Sequence, residues 1–243
     1  MNKAYKYRLY PDATQSVLIN KTFGCARYIY NRMLAERKTI YEICHDDKEV
    51  LRQHKYLLPA DFKKEHEWLK EVDSLALANA QMNLEAAFRN YFRNRSAGYP
   101  RFKSKRKDKK SYTTNNQKGT IRITDYNKIH LPKLKDVRIK MHRPIPEGCV
   151  IKSATLSLTS TGKYYILILV EYGKDIKPVT PKKETVLGLD YSSGMLYKDS
   201  NGNSAGYPGY YRKAEEKLKK EQRKLSKRKE GGKNRDKQRL KVA

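Results

Sequence analysis

The sequence predicts an α+β protein: a small β-barrel with an inserted helical bundle, then a short strand group and a very basic helix. Three observations lead there. Tyr5, Tyr7 and Leu9 alternate with Lys6 and Arg8, the period of a strand. Residues 12–94 carry apolar side chains at spacings of three, four and seven, the period of a helix. From Tyr112 to Gly173 the period returns to two.

Pro11 ends the opening strand, and Asp12 has the place of an N-cap, its carboxylate accepting from the open N–H groups of the next helix. That helix is expected to run to about Tyr41, with Leu18, Cys25, Ile29 and Met33 as its apolar stripe. A second helical stretch covers Lys48 to Tyr56, and a third follows Pro59 through Phe62, Trp68 and Leu69. Asp73 and Ser74 cap a helix from Leu75 to about Asn94, whose buried face is Leu77, Leu84, Phe88 and either Tyr91 or Phe92. Gly98 and Pro100 then break the helix inside a basic stretch, Arg95 to Lys110, which reads as an exposed loop.

In the β region, Ile121 and Ile123, Ile129 and Leu131, Val137 to Met141, and Ala154 to Leu158 each alternate with polar neighbours. Tyr164 to Val170 reads as a more buried strand, joined to its predecessor by a hairpin at Ser160–Lys163. Several short strands in so short a stretch suggest a small barrel, with the N-terminal strand as an added member. A Pro- and Lys-rich linker, Lys177 to Lys183, follows. Val186 to Asp190 is then an apolar strand ending in a carboxylate, and Met195–Asp199 and Asn203–Tyr207 are two short strands around the Asn201-Gly202 turn. A basic helix begins near Gly209 and is interrupted at Gly231 and Gly232.

The charge narrows the function. Against 26 acidic residues stand 54 Lys and Arg, a net charge of +28. Such an excess repels itself and calls for a polyanion; nucleic acid comes first, an anionic membrane surface second, and a solvated charged face is the plain alternative. Nineteen tyrosines favour nucleic acid, because flat rings stack on unpaired bases. No apolar run reaches the ~20 residues of a membrane span, and residues 1–10 lack a signal-peptide core. Three scattered cysteines fit neither a disulfide framework nor a zinc ribbon. A cytoplasmic protein without a membrane or small-molecule partner is expected.

Chemistry-bearing residues are few. Asp190, at a strand end, has the position of a metal-holding acid in an RNase H-like sheet; equally it can satisfy nearby backbone N–H groups. One carboxylate is not a two-metal site, and Asp199 is too close in sequence to complete it. In the basic stretch, Arg101, Lys103, Lys105 and Arg106 can neutralise phosphates while Tyr99 or Phe102 stacks; alternatively the loop is solvated with Phe102 tucked into the core. Asn79 and Gln81 can pair with adenine edges or be ordinary surface positions. The C-terminal helix is either a second cationic contact or a sparse coiled coil seamed by Leu218 and Leu225.

These residues resemble the TnpB proteins, the OrfB-type transposases of IS200/IS605 insertion sequences. The likeness lies in Tyr5 to Pro11, Gly24 to Asn31, Ala87 to Phe92, Gly98 to Lys105, Gly188 to Ser192 and the basic segment from Tyr210 to Ala243. The resemblance implies an RNA-guided, Mg²⁺-dependent DNA endonuclease related to Cas12. It implies a barrel strand at 1–11, a helical recognition (helix-turn-helix-like) domain at 12–110, an oligonucleotide-binding wedge barrel at 111–180, and an incomplete RuvC-like, RNase H-like start with a basic bridge helix at 184–243. Guide RNA and target DNA are the implied partners. Arg27, Asn79, Tyr99, Arg101, Phe102, Lys103, Lys105, Arg106, Lys220, Arg223, Lys227 and Arg228 are the implied nucleic-acid contacts, and Asp190 the first catalytic, Mg²⁺-holding acid. The family's second and third acids and its four-cysteine zinc site have no counterpart in these 243 residues. The expectation is therefore a truncated chain that does not cleave DNA alone; the alternatives are a nuclease-dead RNA-guided regulator and a nonfunctional remnant.

Overall fold

In a computed structural model the alternating N-terminus forms β1 (Asn2–Tyr10) and the first apolar stripe forms α1 (Ala13–Cys44). The structure describes residues 1–125, 127–173, 178–191 and 194–243; Lys177 of the expected linker and Ser192 of the Gly188–Ser192 motif lie outside them. The chain divides into two units, Met1–Asp175 and Ile176–Ala243.

In the first unit Pro11 separates strand from helix as expected. Asp12 caps α1 through a reciprocal box: its carboxylate accepts from the Gln15 N–H at 2.7 Å, and the Gln15 amide oxygen accepts from the Asp12 N–H at 3.1 Å. These bonds hold the Asp12 carboxyl below the usual carboxylate range, the Gln15 N–H contributing most. The same Gln15 amide donates to the carbonyls of Leu134 and Asp136, tying the helix start to the sheet.

The remaining helices are α2 (Lys48–Gln53), α3 (Pro59–Glu65) and α4 (Ser74–Arg93), with a 3-10 turn at Glu67–Lys70. The second stretch is shorter than its pattern suggested. His54 leaves helical geometry at ψ 124°, and Leu58, extended at ψ 162°, leads into the Pro59 start of α3. Asp73 caps α4 by accepting from the Leu75 N–H at 3.0 Å. Leu77 and Leu84 are buried, Phe88 and Tyr91 are partly buried, and Phe92 is 67% exposed, so of the two alternatives Tyr91 continues the face.

Six further strands follow: β2 (Lys110–Asn115), β3 (Arg122–Asp125), β4 (Lys128–Leu131), β5 (Lys135–Lys140), β6 (Val150–Leu158) and β7 (Tyr164–Glu171). They join β1 in one curled antiparallel sheet, ordered β2-β6-β7-β1-β5-β4-β3. The first strand in sequence therefore sits in the middle, pairing Tyr7 with Ile166 on one side and Leu9 with Ile139 on the other. All the helices of this unit enter between β1 and β2, so the helical part is an insertion in the sheet. The β6–β7 hairpin closes at Thr159–Lys163, with Gly162 at φ +75°, where a side chain would be strained.

Two apolar cores result, and α1 serves both. Its first half sends Ile19 and Phe23 into the sheet core with Tyr7, Leu9, Val137, Leu156 and Ile168. Further along, it sends Cys25, Ile29, Met33 and Leu34 into a helical core with Phe62, Leu69, Leu77 and Leu84. Leu18 and Ala26 touch both cores, so sheet and helices are packed as one body. The buried Tyr7 hydroxyl donates to the Arg143 carbonyl at 2.8 Å, avoiding the ~1–3 kcal/mol cost of an unsatisfied polar group.

The second unit has three short strands, β8 (Leu189–Asp190), β9 (Met195–Asp199) and β10 (Ser204–Gly206), paired β10-β9-β8. Two helices follow, α5 (Tyr210–Ser226) and α6 (Lys233–Val242); the expected interruption at Gly231 and Gly232 is present but begins earlier, at Lys227. They are joined by the buried Gln238, whose amide donates to the Glu221 carbonyl at 3.1 Å and to its carboxylate at 2.6 Å. Among the described residues, no helix is long and apolar enough to cross a membrane.

Candidate nucleic-acid interface

The basic loop after α4 is held to the helices. The Asn31 side chain of α1 bonds both backbone groups of Lys103: its amide donates to the Lys103 carbonyl at 2.9 Å, and its oxygen accepts from the Lys103 N–H at 2.8 Å. Asp108, the only acid between Arg95 and Lys110, closes the loop on itself by accepting from the Ser104 N–H and from the Arg101 guanidinium at 2.7 Å. The Ser104 N–H, with help from Arg101, holds the Asp108 carboxyl below the usual carboxylate range. The chain reaches this loop through Gly98, whose φ of +72° suits glycine.

Fixing the backbone fixes the cations. The Lys103 ammonium lies 3.9 Å from the centroid of the buried Tyr30 ring, a desolvated cation–π contact. Burial pushes its pKa below the ordinary lysine value, with Asp108 opposing. Lys103 also lines a cavity of about 450 Å³ between α1, α4, the loop and β2. Arg27, Asn79, Asn83, Arg101, Lys103, Lys107, Lys109 and Lys110 line it, with Phe23 and Tyr112 as its apolar floor, their rings 5.7 Å apart. Four expected contacts, Arg27, Asn79, Arg101 and Lys103, thus meet in one cationic hollow.

The others lie elsewhere. Phe102 is 47% exposed rather than tucked into the core, with the Lys38 ammonium 5.2 Å from its ring. Lys105 and Arg106 are exposed on the same loop. Tyr99 turns to an aromatic group with Phe88 and Tyr91, at centroid distances of 5.5 and 5.4 Å. Asn79 is nearly buried, its amide donating to the Leu75 carbonyl at 2.9 Å, whereas Gln81 is a helix-surface residue paired with Glu85. Asn31, Tyr30 and Asp108 were not foreseen. The lone acid in a basic run was the one signal that could have found Asp108; Asn31 meets Lys103 only through the fold, 72 positions along the chain.

In the second unit Lys220, Arg223 and Lys227 are exposed, spaced three and four apart so that they share a face. Arg228 is half-buried and donates to the Asn234 carbonyl at 3.2 Å. Asp190 ends β8 exposed to solvent, opposite Lys198 in register. The Asp199 carboxylate is occupied by the Asn201 and Asn203 N–H groups and the Asn203 amide. Among the described residues, no group of three or more His, Cys, Asp or Glu could hold a metal ion.

Residues 1–44, which are β1 and α1, match the helix-turn-helix domain of OrfB proteins of the IS605 type. Across its whole length the chain is 31% identical to a "Putative RNA-guided DNA endonuclease" of Streptomyces pristinaespiralis. Over 99% of its length it is 30% identical to the "Putative RNA-guided DNA endonuclease InsQ" of Escherichia coli K12. The chain is similar to the OrfB, or TnpB-type, proteins. It spans 59% and 58% of those two relatives. The fold is also similar to that of a Cas12f1 protein solved in complex with sgRNA and target DNA. There the TM-score is 0.54 at 12% identity, covering all of this chain and 74% of the other.

Proposed function

We propose that this chain supplies the nucleic-acid-recognition part of an RNA-guided DNA endonuclease. The observation that carries this reading is the cationic hollow between α1, α4, the 98–110 loop and β2, in a chain of net charge +28. Its cations are pre-positioned by Asn31 and Asp108, so a phosphate backbone docks without ordering the loop, and less binding energy is spent on immobilisation. Phosphate contacts orient the strand; the Asn79 and Asn83 amides on the hollow's wall have the donor and acceptor pattern that reads base edges.

In this reading 12–110 is the recognition part, 1–11 with 111–180 the oligonucleotide-binding barrel, and 184–243 a RuvC-like start with its basic helix. A folded guide RNA and a DNA target are the partners. Lys220, Arg223 and Lys227 add a second phosphate-binding stripe. Asp190 is the candidate first carboxylate of the nuclease centre, on its Gly188–Tyr191 context. The described residues offer one free carboxylate there, which does not fit a divalent-metal site, so the metal chemistry is not assigned to them.

The test is binding of a hairpin RNA by the full chain across a salt series. Arg101→Ala and Lys103→Ala should each weaken binding and reduce the salt slope by about one. Unchanged affinity and slope in both variants would overturn the assignment of the hollow.

A further inference from the structure

A second hollow of about 350 Å³ lies where the C-terminal half of α1, the Tyr56 segment and the end of α4 meet. Arg37, Tyr41, Tyr56, Phe88, Phe92 and Tyr99 line it, with Tyr91 beside them. It differs from the cationic hollow in kind, because its walls are rings. Tyr99 stands edge-on to Phe88, with an interplanar angle of 88°, and Phe88 and Phe92 are near-parallel at 22°. Its mouth is open: Tyr41 is 61% exposed, Phe92 67% and Tyr99 45%.

So much aromatic surface left in water marks a contact site rather than a core. The charges around it name the occupant. The Arg37 guanidinium sits between Tyr56 and Phe88, at 5.2 and 5.0 Å from their ring centroids. Its Nε–H is buried with no acceptor among the described residues. The Lys38 ammonium lies 5.6 Å from the Tyr99 ring, and Glu42 is the carboxylate acting on that ring from the same helix. The volume lies at the small end of the ~300–1,000 Å³ range of ligand pockets, suited to one planar ring system rather than a helix or a duplex. Bases are available to such a slot in the loops and bulges of folded RNA, where they can be splayed out and stacked on aromatic side chains or arginine planes.

We infer that this cleft takes one unpaired nucleobase of a bound RNA strand, stacked on the Tyr99–Phe92 wall, with the adjoining phosphate met by Lys38. The inference rests on the nucleic-acid reading above and adds to it a single-strand site distinct from the cationic hollow. It also gives Tyr99 the stacking role its sequence context suggested, on a different partner set.

The experiment uses the full chain with three probes: a single-stranded RNA carrying 2-aminopurine, a single-stranded DNA of the same sequence, and the duplex. Stacking should quench the 2-aminopurine on binding. The double variant Tyr41→Ala with Phe92→Ala changes two of the most exposed rings, and circular dichroism confirms that it folds. It should bind the single-stranded RNA about tenfold more weakly or worse, lose the quenching, and keep its duplex affinity. Tyr99→Leu, which keeps apolar bulk but removes the ring, should behave alike. Undiminished RNA affinity and quenching in both variants would overturn the inference while leaving the nucleic-acid reading intact. Dependence seen with the DNA strand alone would overturn the assignment to RNA. Failure of the unmodified chain to bind any of the probes would instead sink the reading on which the inference rests.

Discussion

The two units of this chain handle their apolar residues in opposite ways. In the first, two cores joined by α1 bury Tyr7, Ile29, Leu77, Leu156 and their neighbours almost completely. In the second, Val186, Leu187, Leu189, Tyr191 and Leu218 are each at least 42% exposed, and Gln238 is the one residue of the described set that is buried. A seven-stranded sheet with a helical insert has enough partners to close. Three strands of two, five and three residues do not. The first unit is therefore built to hold a site rigidly, whereas the second presents surface.

This contrast can be broken by mutation. The largest effect is expected where the cores are tightest: Leu77→Ala should cost ~2–5 kcal/mol in denaturant unfolding, because a helix-core cavity cannot collapse fully. Leu218→Ala in the second unit should change stability by less than ~0.5 kcal/mol, as for a surface substitution. Equal losses at both positions would contradict the contrast.

Next in size is Asn31→Ala. It removes two hydrogen bonds to the Lys103 backbone, each worth ~0.5–1.5 kcal/mol. It should also free the basic loop, read as faster tryptic cleavage at Lys103 and Lys105. A stability loss without faster cleavage would mean that Asp108 alone holds the loop. Asp12→Ala should cost ~1 kcal/mol through the lost cap of α1.

The smallest effect belongs to the second unit and depends on pH. Lys224 and Gln238 hold the Glu221 carboxyl down at about 2, against an ordinary value of 4.5. An acid whose pKa is lower folded than unfolded stabilises the fold above the unfolded value. The α5–α6 pairing should then weaken as pH falls from 4.5 towards 2, with helicity as the readout, and Glu221→Gln should flatten that response.

Much of the first unit was legible because its signals are local. Period-two alternation marked β1, Asp12 and Asp73 announced their helices, and the return to alternation at Tyr112 marked the sheet. That β1 joins the sheet could be read from the pattern, but neither its central position nor its register, because both are tertiary facts. The site was legible as a list of cations and aromatics, not as an arrangement. Arg27 and Lys103 share one hollow because Asn31 pins a loop 72 residues away, while Tyr99, two residues before Arg101, turns to a different one. Phe102 shows the limit best: an aromatic in a basic run fits core and surface equally, and packing alone decides for the surface.

The most direct test of the account is to purify the full chain at moderate salt and sequence the RNA that stays with it. The account predicts one discrete, folded RNA that protects the first unit from protease and whose retention falls when Arg101 and Lys103 are both replaced by alanine. Heterogeneous RNA, stripped by modest salt and indifferent to those two residues, would mean that the +28 charge attracts any polyanion and that the hollow recognises nothing.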